Sequence, residues 1–208
     1  MNNDDAAIQI YKEHGAEWMM KNSNPDHTIA LINIIQSHLS NNDRILDICC
    51  GYGRLAIPLA YSGYKINGID ISDVLIKKAR NLCEEKGLNK EIFTVANMKD
   101  LPFENNSFEF SFCVWASFNF LTSLDDQITA LNEMFRTLKP GGMTLIECPY
   151  HETKEGLMKA KAGNVDYAYN PITLDDMKSL CELTSFTSYK VAIHSVANRN
   201  RMITILEK

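Results

Sequence analysis

Hydrophobic positions along this chain fall into two periods that take turns. From Ile45 onward, short runs that are apolar on both faces alternate with longer stretches whose apolar residues recur at helical spacing. Short apolar runs bounded by turn residues read as strands buried on both faces, and a 3.6-residue period reads as a helix lying on the sheet. The pattern predicts strands at 44–48, 65–69, 91–95, 108–114 and 143–148, with helices near 54–62, 73–87 and 125–138. A helix near 173–183 then precedes "SYKVAIHSV", the turn "ANRNR" and "MITILEK", two β runs joined as an antiparallel hairpin. Upstream, "HTIALINIIQSHL" carries an apolar stripe through Ile29, Ile32, Ile34, Ile35 and Leu39 with Asp26 as its cap. Residues 4–21, with Ile8, Tyr11, Trp18 and Met19, form a further helix ending at the loop signal "KNSNP". Alternating strands and helices make this an α/β chain with a mostly parallel sheet.

Composition narrows the picture. With 208 residues, 45% of them hydrophobic, one sizeable core is expected. No repeat or linker divides the chain, so a single domain over 1–208 follows, with 1–43 as an N-terminal helical cap and 44–208 as the core. Net charge is −5 and basic residues are scattered, which argues against a nucleic-acid partner. The one local cluster, Arg199, Asn200 and Arg201, reads as a solvated turn. No apolar stretch reaches the roughly 18–20 residues that span a bilayer, and the acidic N-terminus does not resemble a signal peptide. A cytoplasmic protein with no membrane partner, a monomer or homodimer, is the expectation. Six cysteines lie mostly in apolar segments without C-x-x-C pairs, so they read as reduced, buried side chains and no metal site is expected.

Candidate chemistry begins at "ILDICCGYGRLAIPLA", residues 45–60. A glycine turn between a strand and its helix points backbone N–H groups at a ligand and lets it approach the main chain closely. "GYGRLA" fits the weak pattern G-x-G-x-x-G/A, and Asp70 ends the next strand where a carboxylate can take ribose hydroxyls. Those residues alone suit a nicotinamide oxidoreductase. Asp47, however, precedes the glycines inside D-x-C-C-G-x-G, where a carboxylate repels a pyrophosphate and attracts a cationic ligand such as S-adenosylmethionine.

The motif resembles motif I of the class I S-adenosylmethionine-dependent methyltransferases, a strand followed by D-x-G-C-G-x-G. "INGIDIS" resembles their second-strand acidic motif, "VANMKDLPFENNSFEF" their third-strand and fourth-strand region, and "LKPGGMTLIE" the turn into their fifth strand. These matches stand in the family's order over residues 44–148. The resemblance implies a Rossmann-like, doubly wound, mostly parallel seven-stranded sheet with a C-terminal antiparallel hairpin, and S-adenosyl-L-methionine as cofactor. It implies cofactor contacts from Asp47, Gly51 and Gly53, from Asp70 to the ribose hydroxyls, from Ile71 to the adenine face, and from Asn97 and Met98 to the adenine edge. Trp115 joins them from the loop after the fourth strand. Cys49 departs from the family by replacing its first loop glycine. A side chain is tolerable there at negative φ, so Cys49 and Cys50 are expected as small fillers under the cofactor. Arg54 either reaches the methionyl carboxylate or faces solvent in the first helical turn.

Ligands of open parallel sheets sit beyond the carboxyl ends of the strands. The segments "WASFNFLTS" and "CPYHE" and the N-terminal helices meet there, which nominates Tyr11, Trp18, Phe118 and Asn119, with Phe120, as substrate contacts. Where the acceptor needs a proton removed, His151 is the candidate base, with Tyr150 and His14 behind it. The short chain, and the lack of an N-P-P-Y stretch after the fourth strand, favour methyl transfer to nitrogen or oxygen of a small metabolite or short peptide. A non-catalytic module that binds S-adenosylmethionine is the other alternative.

Overall fold

The computed structural model describes residues 2–208. Strands β1 (Arg44–Ile48), β2 (Lys65–Asp70), β3 (Phe93–Val95), β4 (Phe108–Cys113) and β5 (Leu138–Pro149) run parallel, and the C-terminal strands β8 (Ser188–Val196) and β9 (Arg199–Glu207) return antiparallel. The seven-stranded order is β3-β2-β1-β4-β5-β9-β8. The switch in direction of winding falls between β1 and β4, which is where open α/β sheets form a crevice.

Period-two alternation distributes the strand residues between two apolar layers. Leu46, Ile48, Ile146 and Leu206 pack under helices α5 (Leu124–Thr137) and α6 (Leu174–Glu182). Ile45, Phe110, Phe112 and Leu145 pack under α2 (Pro25–Gln36), α3 (Ala56–Tyr61) and α4 (Asp73–Glu85). Leu31 and Ile35 carry α2 into that second layer, so α2 belongs to the core sandwich and only α1 (Asn3–Asn22) covers the strand ends. This divides the expected cap at residues 1–43. The stripe of α2 also differs from expectation, because Ile29 is exposed while Leu31 and His27 are buried.

Three local readings are corrected. Asn24, with Pro25 following at the first helical position, caps α2 by accepting from the Asp26 and His27 N–H groups; Asp26 itself sits in the first turn. The turn between β8 and β9 is Ala197–Asn198, both at positive φ, and Arg199–Arg201 belong to β9 with Arg201 buried. A separate hairpin, β6 (Met158–Ala162) with β7 (Val165–Tyr169), fills the stretch after β5 where no element was expected.

That hairpin holds α1 in place. The Asn3 side chain pairs with the β7 main chain, Nδ2 donating to Ala168 O at 2.7 Å and Oδ1 accepting from Ala168 N at 3.1 Å, and Nδ2 also donates to Phe120 O at 2.7 Å. Helix α1 is interrupted at Gly15, whose φ of 71° breaks the helical path. Its first half lies over the strand ends against the hairpin, and its second half brings Met19 down onto the glycine loop, where a Cβ on Gly51 would meet Met19 Cε at 2.8 Å.

Candidate active site

One groove runs across the carboxyl ends of β1, β2 and β4. At one end Asp70, Ile71, Ala96 and Met98 line a cavity of about 80 Å³ with Tyr11 and Phe120. At the other end Asp47, Arg54 and Trp115 line a narrower cleft. Met19, Cys49 and Ser117 line both, so the two are continuous. Asn3, Asp4, Ala7 and Tyr11 of α1 roof the wider end.

Parallel register sets the two carboxylates at the ends of neighbouring strands, Asp47 opposite Gly68 and Asp70 two residues further along β2. Asp70 accepts from Gly51 N and Ser72 N, both at 2.9 Å, which fixes the glycine loop to the second strand end. Ser72 caps α4 by accepting from Leu75 N, which leaves Asp70 free of that role. Burial pushes the Asp70 carboxyl up to about 6, with the Ser72 and Gly51 N–H groups opposing the rise. Burial also pushes Asp47 well above the usual carboxylate range; Arg54 opposes the shift and Asp70 adds to it. Two desolvated carboxylates beside an apolar groove suit a ligand that brings hydroxyl donors and positive charge.

The structure corrects the reading of Cys49. Its φ is +62°, so a residue with a Cβ occupies the left-handed region where a glycine costs nothing. The neighbouring Cys113 thiol and burial push the Cys49 thiol well up, so it faces the groove as an unreactive apolar group. Cys50 is buried in the second apolar layer. Gly53, at φ 81°, packs so closely that a Cβ would meet Ile57 at 2.8 Å and Phe93 at 2.9 Å.

Arg54 is neither solvent-facing nor at the wide end. It is 8% exposed, its Nη1 donates to Thr28 Oγ1 at 2.8 Å, and its guanidinium lies 4.6 Å from the centre of the Trp115 ring. Trp115 and Ala116 both hold positive φ, 62° and 66°, an expensive pair of backbone conformations for residues with side chains. The Trp115 N–H donates to Glu147 Oε2 at 2.7 Å and helps to hold that turn. Glu147 is fully buried and also takes His27 Nε2 at 3.0 Å and Arg201 Nε on its other oxygen. Burial alone would raise Glu147, but the His27 and Arg201 contacts outweigh it and hold the carboxyl down at about 2.

Other expected residues fall elsewhere. Asn97 does not line the groove: its Nδ2 donates to Asp4 Oδ2 at 2.9 Å and its Oδ1 accepts from Lys99 N at 3.0 Å. Phe118 is fully buried in the layer under α5, and Asn119 donates to Asn170 O at 2.7 Å, so both anchor the loop from below while Phe120 faces the groove. Trp18 is 39% exposed and stacks on His14 at 5.1 Å, outside the lining. His151 approaches the Tyr169 hydroxyl at 3.4 Å, and burial with the nearby Arg201 charge lowers its pKa; neither it nor Tyr150 lines the groove. Met19, Ser117 and the Glu147 cluster were missed. Glu147 alone left a trace, a charge inside the apolar run "TLIECP".

Comparison with known proteins agrees with this geometry. Residues 45–142 match the family model described as a methyltransferase domain. The chain is 34% identical over 111 residues to the demethylmenaquinone methyltransferase of Geobacillus kaustophilus, covering 52% of this chain and 46% of that one. It is 29% identical over 113 residues to the putative methyltransferase YqeM of Bacillus subtilis, covering 54% and 45%. The aligned region thus spans about half the length of these curated relatives. Among solved structures, a SAM-dependent methyltransferase from Methanosarcina mazei superposes with a TM-score of 0.71 at 24% identity, covering 84% of this chain and 96% of that one. A SAM-dependent methyltransferase from Thermotoga maritima, described as a possible histamine N-methyltransferase, gives 0.67 at 20% identity, covering 98% and 99%. Motifs, sheet order and matched segment agree: residues 45–142 carry a methyltransferase domain, and the fold is that of the S-adenosylmethionine-dependent methyltransferases, which implies S-adenosylmethionine as cofactor.

Proposed function

We propose that this protein transfers a methyl group to nitrogen or oxygen of a small metabolite or short peptide. The observation that carries the reading is the continuous groove with buried Asp70 and Asp47 towards its two ends, roofed by α1. In this reading Asp70 takes ribose hydroxyls, Ile71 and Met98 flank an adenine, and Asp47 with Arg54 faces an amino acid's charged groups. Bound there, S-adenosylmethionine supplies an electrophilic methyl group on a sulfonium. The chain's own contribution is alignment and exclusion of water: Tyr11, Met19 and Phe120 surround the wide end with apolar surface.

Tyr11 is held protonated, since burial and the Asp70 charge push its hydroxyl above the usual range, so it acts as a hydrogen-bond donor and not as a base. No histidine stands among the residues lining the groove. An acceptor that is nucleophilic when neutral, an amine, therefore fits better than a hydroxyl that needs deprotonation. The two curated relatives differ in what their names state, and the match covers about half of each, so the preference for an amine rests on this groove alone.

Parallel calorimetric titration with S-adenosylmethionine, S-adenosylhomocysteine and NAD tests the cofactor site; micromolar binding of the first two and none of NAD is expected. A screen with methyl-labelled cofactor across amines, phenols, carboxylates and short peptides then tests transfer. Binding of NAD alone would replace the reading with an oxidoreductase. Cofactor binding with no transfer to any class would replace it with a non-catalytic binding module.

A further inference from the structure

Across Trp115 from the groove lies a second cavity, of about 110 Å³. Asn24 and His27 at the start of α2, Trp115, and Arg199 and Arg201 of β9 bound it. At roughly 30 Å³ for a water molecule, the space suits a few waters or the acid end of a small molecule.

Its charge is unbalanced. Arg201 is 7% exposed and gives its Nε to Glu147, yet its Nη2 is buried without a partner. Both Glu147 oxygens are already occupied, one by Arg201 and His27 and the other by the Trp115 N–H. Arg199 adds a second, exposed guanidinium at the rim, so one buried and one exposed cation face one saturated carboxylate. A guanidinium with unused N–H donors is matched by a planar, singly charged oxyanion that accepts two bonds side by side. Trp115 walls both this cavity and the methionyl end of the groove, which sets the two spaces side by side.

We propose that this cavity is a carboxylate site, formed by Arg201 and Arg199, and that it holds an acid group of the methyl acceptor. The second half of the proposal rests on the methyltransferase reading above; the first half does not. The preferred acceptor is then a carboxylate-bearing molecule whose nucleophile reaches past Trp115 into the groove.

The two tryptophans allow a direct test. In a Trp18→Phe background Trp115 is the sole indole, and its emission is followed during titration with butyrate, butyramide or inorganic phosphate, with S-adenosylhomocysteine saturating. Butyrate is expected to give a saturable change that butyramide does not. Arg199→Met, at an exposed position whose loss leaves the Glu147 pair intact, is expected to weaken butyrate at least tenfold with S-adenosylhomocysteine affinity unaltered. Glu147→Gln, which removes the competing charge, is expected to tighten it. Equal responses to butyrate and butyramide, tighter binding of phosphate, or indifference to Arg199→Met would overturn the carboxylate site. For the acceptor, Arg199→Met should raise KM more than it lowers kcat for a carboxylate acceptor, and butyrate should compete with it. A neutral acceptor insensitive to butyrate and to Arg199→Met would overturn the acceptor assignment. Butyrate binding as described in a protein that takes no S-adenosylmethionine would leave the anion site standing and remove the methyltransferase reading instead.

Discussion

Asp70 ties one residue's protonation to ligand affinity. Its folded pKa of about 6 lies above the ordinary carboxylate value, so the folded protein favours the neutral acid below that pH and has an ionised acceptor only above it. In the proposed site ribose hydroxyls would donate to the ionised form, so cofactor affinity should be full above pH 6 and weaken by about tenfold per pH unit below it. Asp70→Asn should flatten that profile and weaken binding by roughly a hundredfold, as expected for lost charge-assisted hydrogen bonds; calorimetry from pH 5 to 8 measures both. At Cys49 the left-handed backbone makes the opposite kind of prediction. Cys49→Gly relieves a cost of about 1–2 kcal/mol and should hold or raise the melting temperature, whereas Cys49→Val should lower it by several degrees. The placing of Asp47 and Asp70 at neighbouring strand ends, with a glycine turn between, was legible because strand, turn and strand end lie within one short motif. The sign of φ at Cys49 was not, because it depends on how Cys50 and Gly51 are pulled to the second strand by Cys50 N to Ile69 O and Gly51 N to Asp70.

At the scale of elements, α1 is held by few contacts that sequence pattern does not display. Asn3 supplies three hydrogen bonds, two to strand β7 and one to the turn at Phe120, so Asn3→Ala should release the first half of α1 and speed amide exchange over residues 3–14 with a small change in global stability. A Cβ at Gly15 would meet no atom within 4 Å, yet the residue holds φ 71° and ψ 172°, so Gly15→Ala should cost about 1–3 kcal/mol through backbone conformation alone. The hairpin β6–β7 escaped sequence reading because Met158, Lys159 and Lys161 are exposed and most of β7 is only half-buried, which leaves a weak alternation. The core strands were legible for the converse reason: both faces are covered, so apolar residues hold three of five positions in β1 and four of six in β4. The misplaced cap of α2 has a similar local origin, since Asn24 and Asp26 are both good caps and only the path of the chain through Pro25 separates them.

At the scale of the whole molecule, the Glu147 cluster joins α2, β4, β5 and β9, elements far apart in sequence. Its folded pKa near 2 lies below the ordinary value of 4.5, so its contribution is present above about pH 4.5 and is lost as pH falls through 2. The shift corresponds to about 3 kcal/mol. Acid titration followed by circular dichroism should show this loss, and Glu147→Leu, which strands Arg201 and His27, should destabilise by about 3–5 kcal/mol at neutral pH. No short-range pattern announces such a cluster: Glu147 and Arg201 are 54 residues apart, and Arg201 reads as part of a solvated turn until the antiparallel return of β9 sets it against Glu147.

The roof over the groove has a kinetic meaning. Pockets that take cofactor-sized ligands enclose about 300–1,000 Å³, and the 80 Å³ beneath α1 is far smaller, so entry of a nucleoside is expected to require the first half of that helix to lift about Gly15. In the proposed reaction, exchange of spent for fresh cofactor is then expected to set the pace of steady turnover. Rapid mixing should reveal a burst of one methylated product per protein followed by a slower linear phase, and Asn3→Ala, by loosening the roof, should quicken the second phase while leaving the burst amplitude at one or below.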